Sequence, residues 1–519
     1  MKLAILHYHL NPGGVTQVIG QHLRALELVA ERLGLEESIV LYDGQPSRAA
    51  EELAGGAAVQ PRVRIMAVPG LGYDEETTSD PDSLANDLQS VLSEAGFESD
   101  RTLLHVHNHC LGKNASLPGA LRKLAADGYR QLLQIHDFAE DLRPANYRHL
   151  ADAWRVSTTT DASQQMYPRA SHIHYAVLNY RDLGILRSAG AEPDRLHLLP
   201  NPVGAPGRVA DPDAARRRFQ RAFDCENIER IIVYPVRAIR RKNVGEFLLI
   251  AAIADRGMLA ALTLPATSDA ERPTYTRWRE AAERWKLPVR MEVGLSDNLT
   301  FPEILAAADR ILTTSIAEGF GMVFLEAWLC SRMLVGRNLP EITADFVEQG
   351  VDLSHLAARV EIPMAWVGAD AVAKNLAASY RDLAGRYGRD PESIDREALD
   401  RLASAETVDF ARLTPQQQME VIERVWTDQK SRDIVREGNP VLWDSLATDS
   451  QVFGPLIARN AAAVREHWSL EASAGRLEAV YRSVMTCPCS GTIGGLEHPE
   501  RILEQFLSID RLYPLRVAV

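Results

Sequence analysis

Strand-like and helix-like segments alternate along the first two hundred residues, and this alternation constrains the fold more than any other feature of the sequence. Amphipathic helical patterns at Val15–Leu33, Ser83–Glu94 and Leu117–Ala126 separate short apolar runs. The apolar runs that we predict to be strands are Leu3–Tyr8, Ser38–Tyr42, Val63–Val68, Leu103–Val106, Gln131–Ile135, Ile173–Leu178 and Leu196–Leu199. Strands that alternate with helices predict a parallel sheet covered by helices on both faces.

A linker is predicted at residues 200–207, where three prolines and two glycines in eight residues interrupt any regular element. A second alternation of strands and helices follows this linker. Its predicted strands are Ile231–Val236, Ala260–Leu264, Val289–Val293 and Arg310–Thr314, and its predicted helices are Val244–Ala254, Glu271–Trp285 and Pro302–Ala308. The sequence therefore predicts two doubly wound α/β domains joined by a linker.

Residues from about 350 to 455 interrupt this second alternation, because they are mostly helical in pattern and contain few strand-like runs. Thr414 and Gln417 form a predicted capping box around Pro415, a residue favoured at the first position of a helix. A further helical pattern follows at Asn460–Val484. We interpret residues 350–455 as a mostly helical insertion.

The composition, 46% apolar and 24% charged, is that of a soluble globular protein, and 519 residues predict two or three domains. We see no stretch long and apolar enough to span a bilayer, and the first residues lack the features of a signal peptide. The net charge of −13 argues against nucleic acid or an anionic membrane as the main partner. Five sparse cysteines, with Cys487 and Cys489 in a C-x-C arrangement, indicate reduced thiols, so we expect a cytoplasmic protein.

Two glutamates eight positions apart, Glu318 and Glu326, flank a glycine-containing segment that joins a predicted strand to a predicted helix at Met322–Cys330. In α/β sheets, such a turn places the N–H groups of the helix start at the crevice where ligands bind. Ionised carboxylates only accept hydrogen bonds, so two of them beside these donors suit a polyhydroxylated ligand such as a sugar or a ribose.

Arg237 and Lys242 follow the predicted strand Ile231–Val236, with Arg240 and Arg241 between them. Helix N-termini favour anionic side chains, so stability explains these cations poorly. A bound diphosphate would account for them, because arginine grips phosphate through its planar fork and lysine acts as a point charge. A solvated basic loop is the alternative interpretation.

Histidines cluster at His105 and His107, and His136 ends a later predicted strand. His105 and His107 share a strand face, but we find no neighbouring carboxylate or cysteine to complete a metal shell, so no metal site is predicted. His136 can donate to a substrate hydroxyl or carbonyl from the end of its strand. Gly13 and Gly14, after the first strand, either admit a bulky anion close to the backbone or form a plain tight turn.

These motifs together resemble the retaining, nucleotide-sugar-dependent glycosyltransferases of family 4, which have the GT-B fold. The matching positions are Gly13-Gly14, His107-Asn108-His109, His136-Asp137, Leu198–Asn201, the pair Arg237 and Lys242, and the run from Glu318 to Glu326. The match covers roughly residues 1–345 and the helical segment Asn460–Val484. Asn243, where a glycine is usual, and Pro202, where a glycine is common, depart from the family pattern without removing a charge.

The resemblance implies catalytic roles for His136, Arg237, Lys242 and Glu318. Arg237 and Lys242 would bind the diphosphate and stabilise charge on the leaving nucleotide. Glu318 would face the transferred sugar and touch its hydroxyls. His136 would contact the donor sugar and help to build the reaction centre.

The resemblance also implies a set of donor-binding residues. Glu326 would accept hydrogen bonds from the ribose hydroxyls, and the loop backbone after Glu318 would hold the sugar and the phosphate. The donor-binding residues implied in this way are Gly13, Gly14, Asn201, Gly319, Phe320, Gly321, Met322 and Glu326. No metal is expected, because the cationic pair takes its place.

The predicted fold class is therefore α/β of the GT-B type, with two doubly wound Rossmann-like domains facing a deep cleft and an extra, mostly helical insertion at about 350–455. The predicted N-terminal acceptor domain spans residues 1–203 and is joined by the C-terminal segment 495–519. The predicted nucleotide-sugar donor domain spans residues 204–494 and includes the insertion, which would shape the acceptor side or an oligomer interface.

The predicted activity is transfer of a hexosyl unit, with retention and an α-linkage, to a hydroxyl of a small soluble or glycan acceptor. A UDP-sugar is the expected donor, GDP- and ADP-sugars are the alternatives, and no cofactor is expected. Expected partners are small molecules, with no nucleic acid, no integral membrane and a homo-oligomer through the insertion. Two alternatives stay open: an epimerase or phosphorylase on the same fold, and a non-catalytic GT-B binding protein, which unpaired cations would disfavour.

Overall fold

Parallel strands pair in two separate sheets in the computed structural model. The structure describes residues 1–55, 62–74, 79–156, 158–204, 207, 209, 211–255, 257–489 and 491–517. The chain divides into two units: residues 1–202, 383–391 and 468–508 form the first, and residues 203–382, 392–467 and 509–519 form the second. Ala205 and Pro206 of the predicted linker, and Ala518 and Val519 of the predicted C-terminal segment, lie outside the described residues.

The first unit contains a seven-stranded sheet in which all neighbours are parallel. Its strands, in spatial order, are Arg62–Ala67, Glu37–Tyr42, Lys2–Leu6, Thr102–His107, Arg130–Ile135, Ile173–Val177 and Leu196–Leu198. The first strand of the chain pairs on both sides, so that Ile5 lies opposite Val40 and His105. All seven predicted strands of this half of the chain are present, and only their ends differ from the prediction.

Helices follow these strands, as the crossover connections of a parallel sheet require. The helices of the first unit are Gly14–Glu27, Ala30–Leu33, Arg48–Gly55, Pro81–Glu94, Leu117–Ala126, Pro144–Trp154, Thr159–Met166, Tyr180–Ser188, Leu470–Thr486 and Glu500–Phe506. A two-stranded antiparallel ribbon pairs Pro168–Arg169 with Gly494–Gly495. The predicted helix Val15–Leu33 is two helices, since the first ends at Glu27 and a short second one begins at Ala30.

The Leu470–Thr486 helix completes the core of the first unit. Leu477 and Tyr481 are fully buried in the same apolar cluster as Ile5 and Leu103 of the sheet. This packing places residues 468–508 with the first unit. The predicted domain boundaries, 1–203 with 495–519 and 204–494, stay a prediction.

The predicted helix Asn460–Val484 is divided in the structure. Gly454–Trp468 ends before Ser469, whose side chain accepts a hydrogen bond from the Ala472 N–H and caps a new helix. A serine in this role satisfies one of the N–H groups that a helix start leaves without an intrahelical partner.

The second unit contains a five-stranded parallel sheet. Its strands, in spatial order, are Val289–Arg290, Met258–Leu264, Arg230–Arg237, Arg310–Thr313 and Met333–Gly336. The predicted strand Val289–Val293 is too long, because Glu292 adopts a φ of 65° and Val293–Leu295 forms a 3-10 turn. The two Rossmann-like sheets confirm the predicted fold class.

The helices of the second unit cover this sheet and build the insertion. They are Pro212–Ala222, Val244–Ile253, Arg272–Trp285, Phe301–Ala307, Val323–Leu329, Pro340–Glu348, Met364–Val367, Ala369–Arg386, Arg396–Ala403, Pro415–Thr427, Gln429–Gly438, Pro440–Ala447, Gly454–Trp468 and Pro514–Val517. The predicted capping box of Thr414 and Gln417 is present, with Pro415 at the first helical position. Within the described residues, no helix combines the length and apolar character that crossing a membrane requires.

A buried ionic group joins the insertion to the second sheet. Arg337, at the end of the Met333–Gly336 strand, donates to Glu246 with an N–O distance of 2.6 Å and to Asp409 with one of 2.7 Å. Asp409 ends the short strand Thr407–Asp409, which pairs antiparallel with Glu361–Pro363 inside the insertion. All three charged side chains are at most 5% exposed. The insertion is therefore part of the core of the second unit.

Candidate active site

Two neighbouring strands of the second sheet bring the predicted donor-site residues together. Arg230–Arg237 and Arg310–Thr313 pair in parallel, with Ile232 opposite Arg310. Parallel neighbours end at the same edge of the sheet, so the turn Arg240–Lys242 and the loop at residues 314–322 begin side by side.

Glu318 lies between two cations of this turn. Lys242 Nζ donates to Glu318 Oε1, and Arg241 donates to Glu318 Oε2 and, at 3.1 Å, to the Ala317 carbonyl. The Glu318 side chain is 7% exposed and that of Lys242 is 13% exposed. The sequence interpretation treated the cations as unpaired, and this is wrong for Lys242 and Arg241, which share one nearly buried carboxylate.

Glu318 and Lys242 influence each other's pKa. Burial alone would raise the pKa of the Glu318 carboxyl, but Arg241 and Lys242 lower this pKa to about 2. Burial lowers the pKa of Lys242, and the Glu318 charge opposes that shift. Glu318 is therefore a carboxylate at neutral pH, able to accept hydrogen bonds and unable to supply a proton.

Hydrogen bonds to the backbone hold the cation-bearing turn in place. The Tyr234 hydroxyl donates to the Lys242 carbonyl at 2.9 Å, and the Thr314 hydroxyl donates to the same oxygen at 2.8 Å. The Ile316 N–H donates to the Arg241 carbonyl at 2.9 Å. These bonds join the turn to the loop that carries Glu318, so the two sides of the cluster are positioned together.

Asn243 adopts the left-handed conformation that the family pattern assigns to a glycine. Its φ of 46° is tolerated by asparagine better than by most residues. Its side chain is fully buried, with Nδ2 donating to Glu246 Oε2 at 3.0 Å and Oδ1 accepting from Gln418 Nε2 at 3.3 Å. The asparagine therefore keeps the turn geometry and connects it to the Pro415–Thr427 helix of the insertion.

Arg237 and Arg240 lie beside the cluster with partners of their own. Arg237 is exposed and donates to the Thr267 hydroxyl at 3.0 Å. The backbone N–H and side chain of Arg240 both donate to the carboxylate of Glu271, at 2.7 and 3.2 Å. Arg237 thus presents a solvated guanidinium, whereas Arg240 is engaged in joining the turn to a neighbouring helix.

The loop between the two glutamates presents backbone rather than side chains. Phe320 is 4% exposed, and its ring packs edge-on against Phe346 at 5.4 Å between centroids. Gly321 has a φ of 83°, and a Cβ there would lie 2.8 Å from the Phe324 ring. Met322 caps the following helix. The predicted backbone role of Gly319, Phe320 and Gly321 is compatible with this geometry and stays a prediction.

Glu326 lies in the first turn of the Val323–Leu329 helix, as expected. Burial raises the pKa of its carboxyl to about 7. Its neighbour eight positions earlier, Glu318, has its pKa lowered by two cations, so the two glutamates differ in ionisation although they belong to one motif. Hydrogen bonds donated by a ligand would favour the charged form of this carboxyl and lower its pKa.

Gly13 and Gly14 lie at the start of the first helix of the first unit. Gly13 is in an extended conformation, and a Cβ on Gly14 would meet no atom within 4 Å. The backbone conformation of this turn therefore does not require glycine at either position, and the predicted close approach of a ligand to Gly13 and Gly14 stays a prediction.

His136 is positioned by the neighbouring strand. The Asn108 side chain accepts from the backbone N–H groups of His136 and Asp137, at 2.8 and 2.9 Å, while Asn108 itself has a φ of 62°. His136 Nε2 lies 2.9 Å from His107 Nδ1, and burial lowers the pKa of His136 to about 4. The ring is therefore neutral at pH 7.

Three buried histidines of the first unit, His22, His105 and His107, have ring nitrogens within 4.8 Å of one another. Both nitrogens of His105 have partners, since Nδ1 lies 2.8 Å from the Tyr481 hydroxyl and Nε2 lies 2.9 Å from Gln134 Oε1. The predicted absence of a metal stays a prediction.

Asn201 is 6% exposed, and its Oδ1 has no hydrogen-bond partner among the described residues.

Sequence reasoning missed the residues that position the predicted ones. Arg241 was noted only as lying between two candidates, yet it binds Glu318 directly. Tyr234 and Thr314 hold the turn through their hydroxyls. In the sequence these two residues are only a tyrosine and a threonine near the ends of two predicted strands. Both residue types are common in strands, so a local pattern does not reveal their positioning role.

The chain is similar to known glycosyltransferases in sequence and in fold. No protein-family model matches it. The mannosylglucosyl-3-phosphoglycerate synthase of Petrotoga mobilis is 26% identical to it over 362 residues, and the matched region is 66% of this chain and 66% of the length of that relative.

Solved structures share the architecture of both units. HepE of Anabaena, in complex with UDP and glucose, has a TM-score of 0.53 at 14% identity and covers 93% of this chain and 100% of its own. A glycosyltransferase from Rickettsia africae has a TM-score of 0.55 at 10% identity, with 93% and 98% covered. Sucrose-phosphate synthase from Thermosynechococcus elongatus has a TM-score of 0.51 at 13% identity, also with 93% and 98% covered. The chain therefore has the GT-B fold, and its predicted resemblance to GT-B glycosyltransferases is confirmed.

Proposed function

We propose that this chain is a retaining glycosyltransferase that moves a hexosyl unit from a nucleotide-diphosphate sugar to an acceptor hydroxyl and forms an α-linkage. The observation that carries the proposal is the cluster of Lys242, Arg241 and Glu318 at the carboxyl edge of the second sheet. Two cations beside one carboxylate, at the place where α/β sheets bind ligands, suit a diphosphate next to a sugar. The fold and the Petrotoga relative support the transferase assignment.

The cations act on the leaving diphosphate in this proposal. Charge accumulates on the phosphate oxygens as the bond from the sugar to the diphosphate breaks, and fixed positive charges nearby stabilise it. Arg237, exposed at the end of its strand, and Lys242, held in its turn, supply these charges. Phosphate oxygens then share Lys242 and Arg241 with Glu318. The leaving phosphate takes the proton of the acceptor hydroxyl as the new bond forms on the same face.

Glu318 orients the transferred sugar rather than donating a proton. Its carboxylate is ionised at neutral pH because Arg241 and Lys242 lower its pKa to about 2, which outweighs the effect of burial. An ionised carboxylate accepts hydrogen bonds from sugar hydroxyls and adds negative charge near a sugar ring that becomes electron-poor in the transition state.

A UDP-sugar is the proposed donor. HepE, which shares the fold, is described in complex with UDP and glucose. Glu326 would accept hydrogen bonds from the ribose hydroxyls, and the loop Gly319–Gly321 would hold the phosphate through its backbone. His136, Gly13, Gly14 and Asn201 belong to the first unit, and their predicted roles are part of this proposal.

The acceptor is proposed to be a small soluble molecule or a glycan. The name of the Petrotoga relative includes a phosphoglycerate group. Anionic sugar derivatives therefore belong with neutral sugars in the acceptor panel.

The test is a transfer reaction with defined stereochemistry. UDP-, GDP- and ADP-sugars are first ranked by the rise in Tm that their nucleoside diphosphates cause, since a ligand of the native state stabilises it by mass action. The best donor is then incubated with the acceptor panel, and the product anomer is assigned by NMR. We expect an α-product from an α-configured donor. A β-product, or nucleotide turnover that changes the sugar without transferring it, would contradict the proposal.

A further inference from the structure

A cavity of about 410 Å³ lies within the second unit, and its lining does not include the residues assigned to the donor. We call it the arginine pocket. It is formed by the insertion and by the segment before the Pro514–Val517 helix, and its side chains with chemical character are Arg359, Arg401, Asp409, Arg412, Asp510 and Tyr513. The volume falls in the range of small-molecule sites.

The three arginines of this pocket have weak ionic partners. Arg359 pairs with Glu361 at 2.8 Å but is 53% exposed, and Arg401 lies 3.9 Å from Glu397 while 64% exposed. Exposed pairs of this kind contribute little to stability, so the guanidinium groups can turn to another anion at little cost. Arg412 differs, because its side chain is only 12% exposed and its nearest carboxylate oxygen, on Asp510, is 4.0 Å away. Its guanidinium donates to the backbone carbonyl of Asp510 at 2.5 Å.

The acidic residues of the pocket do not balance these charges. Asp409 directs both oxygens to Arg337, at 2.7 and 2.9 Å, and also accepts from the N–H groups of Val360 and Ala411. Its charge is therefore already matched by a buried cation outside the pocket. Asp510, 78% exposed, is the other acidic side chain that lines the pocket. Besides Asp409, the lining carries three guanidinium groups and one solvated carboxylate, that of Asp510. The carboxylates of Glu361 and Glu397, which pair with Arg359 and Arg401, lie outside the lining, so a ligand in the pocket meets more guanidinium groups than carboxylates.

We propose that the arginine pocket binds a small phosphomonoester, distinct from the donor diphosphate. Guanidinium groups match phosphate oxygens in paired hydrogen bonds, and several arginines around one cavity suit the two negative charges of a phosphomonoester. Tyr513 closes one side of the pocket. Its hydroxyl is neutral, since burial raises its pKa, and it can donate to the organic part of the ligand.

The pocket is physically connected to the turn that carries Lys242. Asp409 binds Arg337, Arg337 binds Glu246, and Glu246 accepts from Asn243, the residue after Lys242. The helix that follows Tyr513 packs against the same turn. A phosphomonoester that draws Arg412 into the pocket therefore acts on elements that also position the donor cations, and we infer that it changes nucleotide affinity. This second step rests on the proposed function, whereas binding to the pocket does not.

The binding test uses calorimetry on the full chain with glycerol 3-phosphate and with inorganic phosphate as separate probes. We expect glycerol 3-phosphate to bind with one site per chain and more tightly than inorganic phosphate. Arg401→Gln and Arg412→Gln should each weaken binding at least tenfold. Arg396→Gln, a 74% exposed arginine on the helix of Arg401 that does not line the pocket, is the matched control and should leave binding unchanged.

Four outcomes would contradict a phosphomonoester site in the arginine pocket. Equal loss in the control and the pocket variants, or no binding at all, would overturn the proposal. Binding that Lys242→Met abolishes and Arg401→Gln leaves intact would place the phosphate at the donor cations and also overturn it. Equal affinity for both probes would leave an unspecific anion site and reject the phosphomonoester. Arg401 is exposed, so its variant keeps the test decisive if Arg412→Gln does not fold.

The coupling test measures UDP affinity with and without saturating glycerol 3-phosphate. We expect a change of threefold or more in wild type and none in Arg401→Gln. Unchanged UDP affinity with a filled pocket would overturn the effector role. Failure of UDP to bind would count against the proposed function and would leave the pocket result standing.

Discussion

Both units bury polar side chains near the ends of strands, but these side chains differ in their ionisation state. In the first unit the buried side chains are histidines, which burial keeps neutral: the pKa of His7 falls to about 3, that of His105 to about 3 and that of His136 to about 4. In the second unit, Lys242 and Glu318 remain charged because they lie against each other. At these positions the first unit removes charge, and the second unit pairs it.

This difference indicates what each surface can bind. Neutral imidazoles donate or accept single hydrogen bonds and suit hydroxyl groups. Two cations that share one carboxylate keep a net positive charge and can bind phosphate oxygens alongside that carboxylate. The two cations and one carboxylate of the Lys242–Arg241–Glu318 cluster support the proposed diphosphate site in the second unit on electrostatic grounds.

The largest difference between the two units should appear in how their stability changes as the pH falls. A histidine whose folded pKa is lowered stabilises the native state fully above its unfolded pKa of about 6.5, and this stability is lost as pH falls through the folded pKa. Glu318, whose folded pKa is about 2, loses its contribution only as pH falls below about 4.5. Between pH 6.5 and 4 we therefore expect the Thr102–His107 strand to lose hydrogen-exchange protection before the Arg310–Thr313 strand does.

His22 provides the control for that experiment. It is fully buried, burial lowers its pKa, and neither ring nitrogen has a hydrogen-bond partner in the part of the chain that the structure describes. His22→Leu removes one titrating group and should shift the loss of protection to lower pH. Simultaneous loss in both units, or no effect of His22→Leu, would break the contrast.

Lys242→Met should have the next largest effect. It removes a charge that the proposal places on the leaving diphosphate, so turnover should fall by roughly 10²- to 10³-fold, as on loss of other transition-state donors. Lys374→Met, in an exposed position of the Ala369–Arg386 helix, is the matched control and should retain turnover. Steady-state kinetics on variants with unchanged circular dichroism decides the matter, and near-normal turnover of Lys242→Met would reject its role.

Glu326 should show a smaller, proton-linked effect. Its pKa of about 7 means that the carboxyl is partly protonated at neutral pH. Ribose hydroxyls that donate to the carboxylate would lower this pKa, so UDP binding near pH 7 should release protons. Calorimetry in buffers of different ionisation enthalpy measures this release. Glu326→Gln should abolish it and weaken UDP roughly tenfold, consistent with loss of hydrogen bonds to a charged group; release that persists in the variant would refute the ribose role.

Asn243 should give the smallest effect. Asn243→Gly keeps the left-handed turn and loses the bonds to Glu246 and Gln418, so we expect a cost of about 1 kcal/mol in the free energy of unfolding. Asn243→Ala also strains the backbone and should cost about 1 to 2 kcal/mol more. Urea unfolding compares the two, and equal costs would show that the φ of 46° stores no strain.

Local sequence patterns predicted most strands and helices of this molecule well. Apolar runs located the strands, and the cations after Ile231–Val236 located the Arg240–Lys242 turn, because both signals are carried by adjacent residues. The pairing of Glu318 with Arg241 could not be predicted, since it joins residues 77 positions apart. The break after Glu27 was missed, because the apolar pattern continues through it into Ala30–Leu33.

The Glu246–Arg337–Asp409 group limits how this chain can be shortened. One of its three charges lies in the insertion, so a version trimmed to a minimal two-sheet scaffold would lose Asp409 and leave a guanidinium enclosed with half of its counter-charge. Breaking a buried pair costs about 3 to 5 kcal/mol, a large part of the stability of a typical domain. Excision would therefore succeed only if Arg337 were replaced in the same step, because the insertion and the second sheet share one buried ionic group.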